Sequence, residues 1–479
     1  MKILQDTALT YDDVLLVPQY SDVDSRRALS TQTKLTKQIT LQIPIISANM
    51  DVVTESEMAI AMAREGGIGI IHRFLSIDEQ ARQIQRVKKA ESFIVEKPIT
   101  MSLTHTVGEL NKLMNETGTG GILILDGDER LVGIVTTRDL LFENDAAKPL
   151  SEIMQKKVIS ASPDITLKDA ERLLHDHRIE KLPLVNKDGR VAGLVTLKDI
   201  MKITQYPKAT KDSRGRLIVG AAVGVRDKEM RRVEAVLQAG ADCVVVDIAH
   251  GDSNLEVEMI KTIRKHYPTV QIIGGNVATA DGTKRLIDAG VDCVKVGVGP
   301  GSICITRIVA GSGVPQLTAV IECAETARDA GIPIIADGGV RQPGDVAKAI
   351  AAGAQTVMIG SMLAGTDESP GMIMTRRGHR YKASRGMASR EATIDRNRKE
   401  GNDLTQEEIE EYVAEGVEAA VPYRGKTREV LTQLVGGLQS GMSYSGAQTV
   451  EEFQKKAIFV RMTGAGLRES GPHDVELLG

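Results

Sequence analysis

Three segments decide the fold: Ala239-Gly-Ala-Asp-Cys-Val-Val-Val-Asp247, Ala289-Gly-Val-Asp-Cys-Val-Lys-Val-Gly297 and Ala352-Gly-Ala-Gln-Thr-Val-Met-Ile-Gly360. Each opens where a helix ends, passes a glycine able to stop that helix in the left-handed conformation, and continues as a short apolar run. A run of that length without polar alternation is a strand buried on both faces. Gln271-Ile-Ile-Gly-Gly-Asn276 and Ile332-Pro-Ile-Ile-Ala-Asp337 read as further strands, separated by amphipathic segments such as Pro343 to Ala352. Strands alternating with helices imply right-handed crossovers and a parallel sheet. Asp247, Asn276, Gly297, Asp337 and Gly360 recur where these strands end. In a closed α/β barrel, the (β/α)8 or TIM barrel, those ends converge on the face that carries active sites. An open doubly wound sheet also fits the alternation, but no Gly-x-Gly-x-x-Gly fingerprint follows the first strand of any unit.

A second repeat interrupts the first. Leu131-Val-Gly-Ile-Val-Thr-Thr-Arg-Asp-Leu140 returns as Val191-Ala-Gly-Leu-Val-Thr-Leu-Lys-Asp-Ile200, each copy preceded by a short strand and a turn. Thr136 with Asp139, and Thr196 with Asp199, are spaced to cap a helix, and equally to hydrogen-bond a ribose.

Composition narrows the function classes. The chain has 479 residues, 42% hydrophobic and 26% charged, too long for one ordinary domain, so two are expected. Lys+Arg 60 against Asp+Glu 64 leaves a net charge of -4, without a basic cluster or interleaved aromatics, so nucleic acid is not an expected partner. Neither a signal pattern nor an apolar run of membrane-spanning length is present, and a cytoplasmic, membrane-free protein is expected. Four cysteines without paired spacing argue against disulfides and structural zinc. One of them stands apart. Residues 297–307, Gly-Val-Gly-Pro-Gly-Ser-Ile-Cys-Ile-Thr-Arg, put Cys304 on a glycine-rich turn directly after an apolar strand. Such a turn has no side chains to pack, so its thiol reads as a candidate nucleophile, whereas Cys243 and Cys293 sit inside apolar runs as small hydrophobes.

The paired repeat resembles a CBS-domain pair, a regulatory module for adenine or guanine nucleotides, inserted at about 92–205 (copies about 92–146 and 147–205) into a barrel formed by 1–91 and 206–479. The whole chain resembles the family of inosine monophosphate (IMP) dehydrogenase and guanosine monophosphate (GMP) reductase. Leu9-Thr-Tyr-Asp-Asp-Val-Leu-Leu16, Gly-Pro-Gly-Ser-Ile-Cys304 and Gly464-Ala-Gly-Leu-Arg-Glu-Ser470 carry the likeness. The resemblance implies that Cys304 adds to purine C2, giving a thioimidate through which hydride passes to or from a nicotinamide. It implies phosphate contacts at Ser302, Gly339, Gly360 and Ser361, a ribose ligand at Asp337, purine-pocket positions at Ser47 and Met50, and a purine contact at Glu415. Asp247 and Asn276 match positions near the nicotinamide riboside. Carbonyls of Gly299, Gly301 and Cys304, with Glu469, Ser470 and Gly471 from a neighbouring subunit, match a potassium site. A homotetramer, or an octamer, is implied as the assembly.

The direction of the reaction turns on water. The resemblance implies that a dehydrogenase hydrolyses its thioimidate with an Arg-Tyr pair on a mobile flap, here about 384–415, after a Tyr-Arg-Gly-Met-Gly-Ser motif. This chain reads Ser384-Arg-Gly-Met-Ala-Ser389, and the flap offers Arg396-Asn397 without the phenol. Ser47-Ala-Asn-Met-Asp51 and Asp247-Ile-Ala-His-Gly251 also resemble the reductase. The expectation is therefore an NADPH-dependent GMP reductase, with Thr306 and Glu368 as the acid-base pair that helps ammonia leave. The alternative is an NAD-dependent IMP dehydrogenase with a divergent flap in which Arg396 or Arg398 takes the base role, a reading that the CBS insert and the Gly-Leu-Arg-Glu-Ser tail favour. A nucleotide-sensing regulator with a dead barrel is a third reading, against which the intact Cys304, Thr306 and Asp337 speak.

Overall fold

The computed structural model describes residues 3, 7–91, 93–204, 206–399 and 404–475. Eight parallel strands close into a TIM barrel: β1 (Ile45–Ser47), β2 (Ile68–Ile71), β3 (Gly220–Val223), β4 (Cys243–Asp247), β5 (Gln271–Val277), β6 (Cys293–Val296), β7 (Ile334–Asp337) and β8 (Thr356–Ile359). Closure comes from β8 beside β1, with Met358 opposite Ile46, and from β2 beside β3, with Ile71 opposite Ala221. The strands are buried throughout except where β4, β5 and β7 end, at the half-buried Asp247, Asn276 and Asp337. Apolar β-branched residues fill most of the barrel because they pack a two-sided buried sheet, with Lys295 of β6 a buried charge among them.

The predicted helix stops are present: Gly240, Gly290 and Gly353 adopt φ of +100°, +104° and +111°. One strand is shorter than its sequence suggests. The run from Ile332 begins as a strand only at Ile334, because Pro333 has no N–H to donate to the ladder. The helix packed outside β8 comes late, as α1 (Thr427–Tyr444), which packs against the helices Pro343–Ala351 and Ser56–Arg64 and so completes the outer ring. Between β8 and α1 lies an excursion with a three-stranded antiparallel sheet (Ile373–Arg376, His379–Arg385, Glu418–Pro422) and the helices Arg390–Lys399 and Gln406–Glu411.

The chain divides into two compact units: Met1–Lys88, Lys208–Thr210 and Leu217–Gly479 form one, Lys89–Pro207 and Lys211–Arg216 the other. The expected joins at Ser92 and Gln205 lie outside the described residues. Within the barrel unit, the departing chain meets its final return where the Lys88 ammonium donates to Leu217 O at 3.0 Å and to Asp242 at 2.6 and 2.8 Å, after a first return at Thr210, whose N donates to Ala63 O at 2.8 Å. The second unit holds two three-stranded sheets. One is Thr100–Ser102, Gly121–Leu125 and Leu131–Thr136; the other is Lys181–Val185, Val191–Thr196 and Ile94–Val95, the last strand coming from ahead of the first repeat.

Candidate active site

A cavity of about 350 Å³ opens at the C-terminal ends of the barrel strands, lined among others by Met50, Gly301, Ser302, Asp337, Gly339, Gly360 and Ser361. These expected substrate positions, scattered over 300 residues of sequence, meet because the loops after β1, β6, β7 and β8 share one rim. Ser47 does not reach this wall: it is fully buried, and its Oγ accepts from Thr54 Oγ1 at 2.8 Å, so it supports the loop after β1 from below. The glycine turn after β6 is needed sterically. A Cβ on Gly297, whose φ is +150°, would sit 2.1 Å from Asp337 O.

Cys304 is the one cysteine of the four that is not buried. Burial pushes the thiols of Cys243, Cys293 and Cys323 up, the last to about 11, which leaves them inert. Cys304 Sγ lies 3.2 Å from Thr306 Oγ1, and that hydroxyl donates to Glu415 Oε2 at 2.7 Å. Glu415 arrives through backbone pairing: Ile305 N donates to Glu415 O at 2.9 Å and Val417 N to Ile303 O at 3.1 Å. Thiol, hydroxyl and carboxylate therefore form one chain of contacts on two paired segments.

Glu368 is not part of it. Its Oε2 accepts from Thr427 N at 2.8 Å and Thr427 Oγ1 at 2.7 Å, so Glu368 caps the start of α1, and the expected Thr306–Glu368 pair is replaced by Thr306–Glu415. The physical reason is that a carboxylate beside a helix start finds unsatisfied N–H groups, and this one is held there.

A second cavity, of about 310 Å³, is lined by Arg73, Arg226, Lys228, Asp247, Arg396 and Asn397 among others. The Nε of Arg73 is buried there and makes no hydrogen bond, an orphan donor suited to an anionic ligand. The Arg73 and Arg396 guanidinium groups lie 5.5 and 5.4 Å from the centroid of the Phe74 ring. Asp247 and Asn276, the expected cofactor-side residues, are joined by Lys295. This lysine of β6 is 3% exposed, and its Nζ meets Asp247 Oδ1 at 3.0 Å, Asp337 Oδ2 at 3.2 Å and Asn276 Oδ1. Asn276 Nδ2 donates in turn to Asp337 Oδ2 at 2.9 Å and Gly297 O at 2.7 Å. Burial pushes the Asp247 carboxyl up, but Lys295 and then Arg73 outweigh it and hold it below the ordinary range. For Lys295 burial opposes the charge, and Asp247 and Asp337 more than restore it.

Arg385 is a further residue that the sequence reading passed over. It donates from Nε and Nη2 to Asp51 at 2.9 and 2.5 Å and from Nη1 to Asp395 at 2.7 Å, tying the loop after β1 to the flap helix Arg390–Lys399. Glu469 ends the short helix Gly464–Glu469, followed by Ser470, whose Oγ donates to Gly466 O, and Gly471. Among the described residues no group of three His, Cys, Asp or Glu is placed to hold a metal ion, and no helix is long and apolar enough to cross a membrane.

In the second unit the Thr/Asp pairs act as caps. Thr136 N and Oγ1 donate to Asp139 Oδ2 at 2.8 and 2.7 Å, and Thr196 Oγ1 donates to Asp199 Oδ2 at 2.5 Å. Thr136 also lines a cavity of about 160 Å³ with Arg138, Lys157, Arg178 and Lys181.

The barrel and its rim cavity, with the thiol-hydroxyl-carboxylate chain of Cys304, Thr306 and Glu415, are those of an enzyme of the TIM-barrel class. The chain matches the IMP dehydrogenase / GMP reductase domain over residues 8–473, and it belongs to that family. It is 52% identical over 471 residues to the inosine-5'-monophosphate dehydrogenase of Nitrosopumilus maritimus, covering 98% of this chain and 99% of the relative. It is 48% identical over 480 residues to the GMP reductase of Leishmania donovani, covering 98% and 97%. Its structure is similar to that of GMP reductase from Trypanosoma brucei in complex with guanosine 5'-monophosphate, with a TM-score of 0.86, 47% identity and 98% of both chains covered. The protein is thus an NAD(P)-dependent purine nucleotide oxidoreductase.

Proposed function

We propose that this chain runs as an IMP dehydrogenase, converting IMP, NAD and water to xanthosine monophosphate and NADH. This departs from the reductase expected from the flap sequence. The observation that carries it is the Thr306–Glu415 contact of 2.7 Å beside Cys304: a carboxylate reached through a hydroxyl can take the proton of an attacking water, so the missing flap tyrosine does not leave hydrolysis without a base. Six of the eight curated relatives compared, including both at 52% identity, are IMP dehydrogenases.

In this reading Cys304 Sγ bonds to purine C2, the hydride leaves C2, water adds to the thioimidate with its proton passing through Thr306 to Glu415, and the thiolate departs. Asp337 accepts from the ribose hydroxyls, while Ser302, Gly339, Gly360 and Ser361 hold the phosphate. The orphan Arg73 donor and the Asp247 carboxylate suit the second cavity to a dinucleotide, which supplies the hydride acceptor. Arg396 adds positive charge to the second cavity. Gly299 and Gly301 sit on a turn whose neutral backbone oxygens suit a monovalent cation such as potassium, which with Cys304 O and the partner-derived Glu469 to Gly471 would stiffen the loop. The inserted unit is read as a CBS pair that binds adenine or guanine nucleotides through the Thr136/Asp139 and Thr196/Asp199 corners, and the enzyme as a homotetramer or octamer.

One observation favours the second reading, NADPH-dependent GMP reduction: Asn397 follows Arg396 at the second cavity, where the phenol is expected. Steady-state assays with IMP plus NAD and with GMP plus NADPH, potassium present, decide between them. Multi-turnover xanthosine monophosphate formation supports the dehydrogenase; turnover of GMP alone overturns it.

A further inference from the structure

The Lys295 ammonium bonds one residue of each barrel cavity, Asp337 of the first and Asp247 of the second. We propose that Lys295 is a positioning residue that couples nucleotide binding at one cavity to dinucleotide binding at the other. The proposal rests on reading those cavities as the two ligand sites.

A charge inside a parallel barrel strand costs several kcal/mol unless it is fully paired. Cys293-Val-Lys-Val is otherwise a wholly apolar buried strand, so this lysine is retained against that cost. Its three N–H bonds are spent on three side chains, each from the end of a different strand: Asp247 of β4, Asn276 of β5 and Asp337 of β7. Asp337 lines the nucleotide cavity and Asp247 the dinucleotide cavity. One oxygen of each carboxylate is therefore fixed by the same ammonium, and Asn276 carries the link on to Gly297, where the loop bearing Cys304 begins.

Coupling follows from this sharing. A ribose hydroxyl that donates to Asp337 fixes that carboxylate, and through Nζ it narrows the positions open to Asp247. The ordering cost is then met by whichever ligand binds first, and the second binds more tightly. Without the ammonium, two neighbouring carboxylates repel each other and share no restraint.

The test measures binding rather than turnover. In a Cys304→Ala background, which blocks chemistry, the Kd for IMP is measured by calorimetry with and without saturating NAD, and the Kd for GMP with and without NADPH. One pair is expected to show a tightening of about tenfold, within the usual range of such couplings. Adding Lys295→Met, of similar length and neutral, should bring the ratio to about one while each ligand still binds alone. A ratio that survives Lys295→Met, or that is already one in the parent, overturns the proposal. Should Lys295→Met fail to fold by circular dichroism, Asp247→Asn serves instead: the ratio should again fall to about one, and its persistence overturns the proposal. Failure of both nucleotides to bind at all would refute the site reading instead, and the direction of the reaction does not enter.

Discussion

Glu415→Gln isolates the water step. Glutamine keeps the length of the side chain and an oxygen to accept the Thr306 hydroxyl, which now donates at 2.7 Å, and the backbone bond from Ile305 N to Glu415 O is untouched. What disappears is basicity. A positioned general base contributes about 10²- to 10⁴-fold, equivalent to about 3–5 kcal/mol of barrier at 1.36 kcal/mol per tenfold. The loss falls on one half-reaction only, since hydride transfer precedes hydrolysis. Stopped-flow mixing of the variant with IMP and NAD should show a burst of NADH close to one per subunit at near wild-type rate, then steady-state turnover lower by about 10²–10⁴. Burst and steady state falling together would remove Glu415 from water activation, and an unchanged steady state would do the same. In a reductase the deamination comes first, so the same variant would slow NADPH oxidation with no burst.

Cys304→Ser should abolish turnover in both directions while nucleotide binding by calorimetry stays largely intact, because a serine hydroxyl is too weak an acid to add at C2 near neutral pH. Deletion of residues 92–205 should leave a folded, active barrel that no longer responds to adenine or guanine nucleotides in a steady-state assay, since the chain leaves and returns at the Lys88–Leu217 contact. Gly297→Ala forces a Cβ to within 2.1 Å of Asp337 O at a positive φ; a destabilisation of about 1–3 kcal/mol is expected in denaturant melts, with a larger relative loss in kcat/KM because Asp337 is displaced.

The barrel was legible because its signals are local. A glycine that stops a helix and the apolar strand after it lie within nine residues, as at Ala239 to Asp247. The first three strands, Ile45–Ser47, Ile68–Ile71 and Gly220–Val223, are too short to show a period, and of these only Ile68–Ile71 follows a glycine helix stop, Gly66 at φ +95°. Site residues on the rim loops came from motif likeness, and Ser302, Asp337, Gly339, Gly360 and Ser361 do share one cavity. Glu368 was misplaced because loop carboxylates are common and nothing local tells a helix cap from an acid: its partner Thr427 is far along the chain. Lys295 has a readable signal, a lone charge inside Cys293-Val-Lys-Val, since a buried strand tolerates such a residue only beside opposite charge. Arg385 had none, because its partners Asp51 and Asp395 belong to the distant loop after β1 and to the flap helix.

The hydrogen bond from Lys88 to Leu217 bears on how the chain is made. Strands β2 and β3 are neighbours, yet everything from Lys89 to Arg216, apart from Lys208–Thr210, is synthesised between them and belongs to another unit. An unfolded segment of that length would tax barrel closure with loop entropy. A segment that has already collapsed, with its ends side by side, taxes it little. The inserted unit is therefore expected to fold first during synthesis, turning a long detour into a short hinge over which the barrel strands meet.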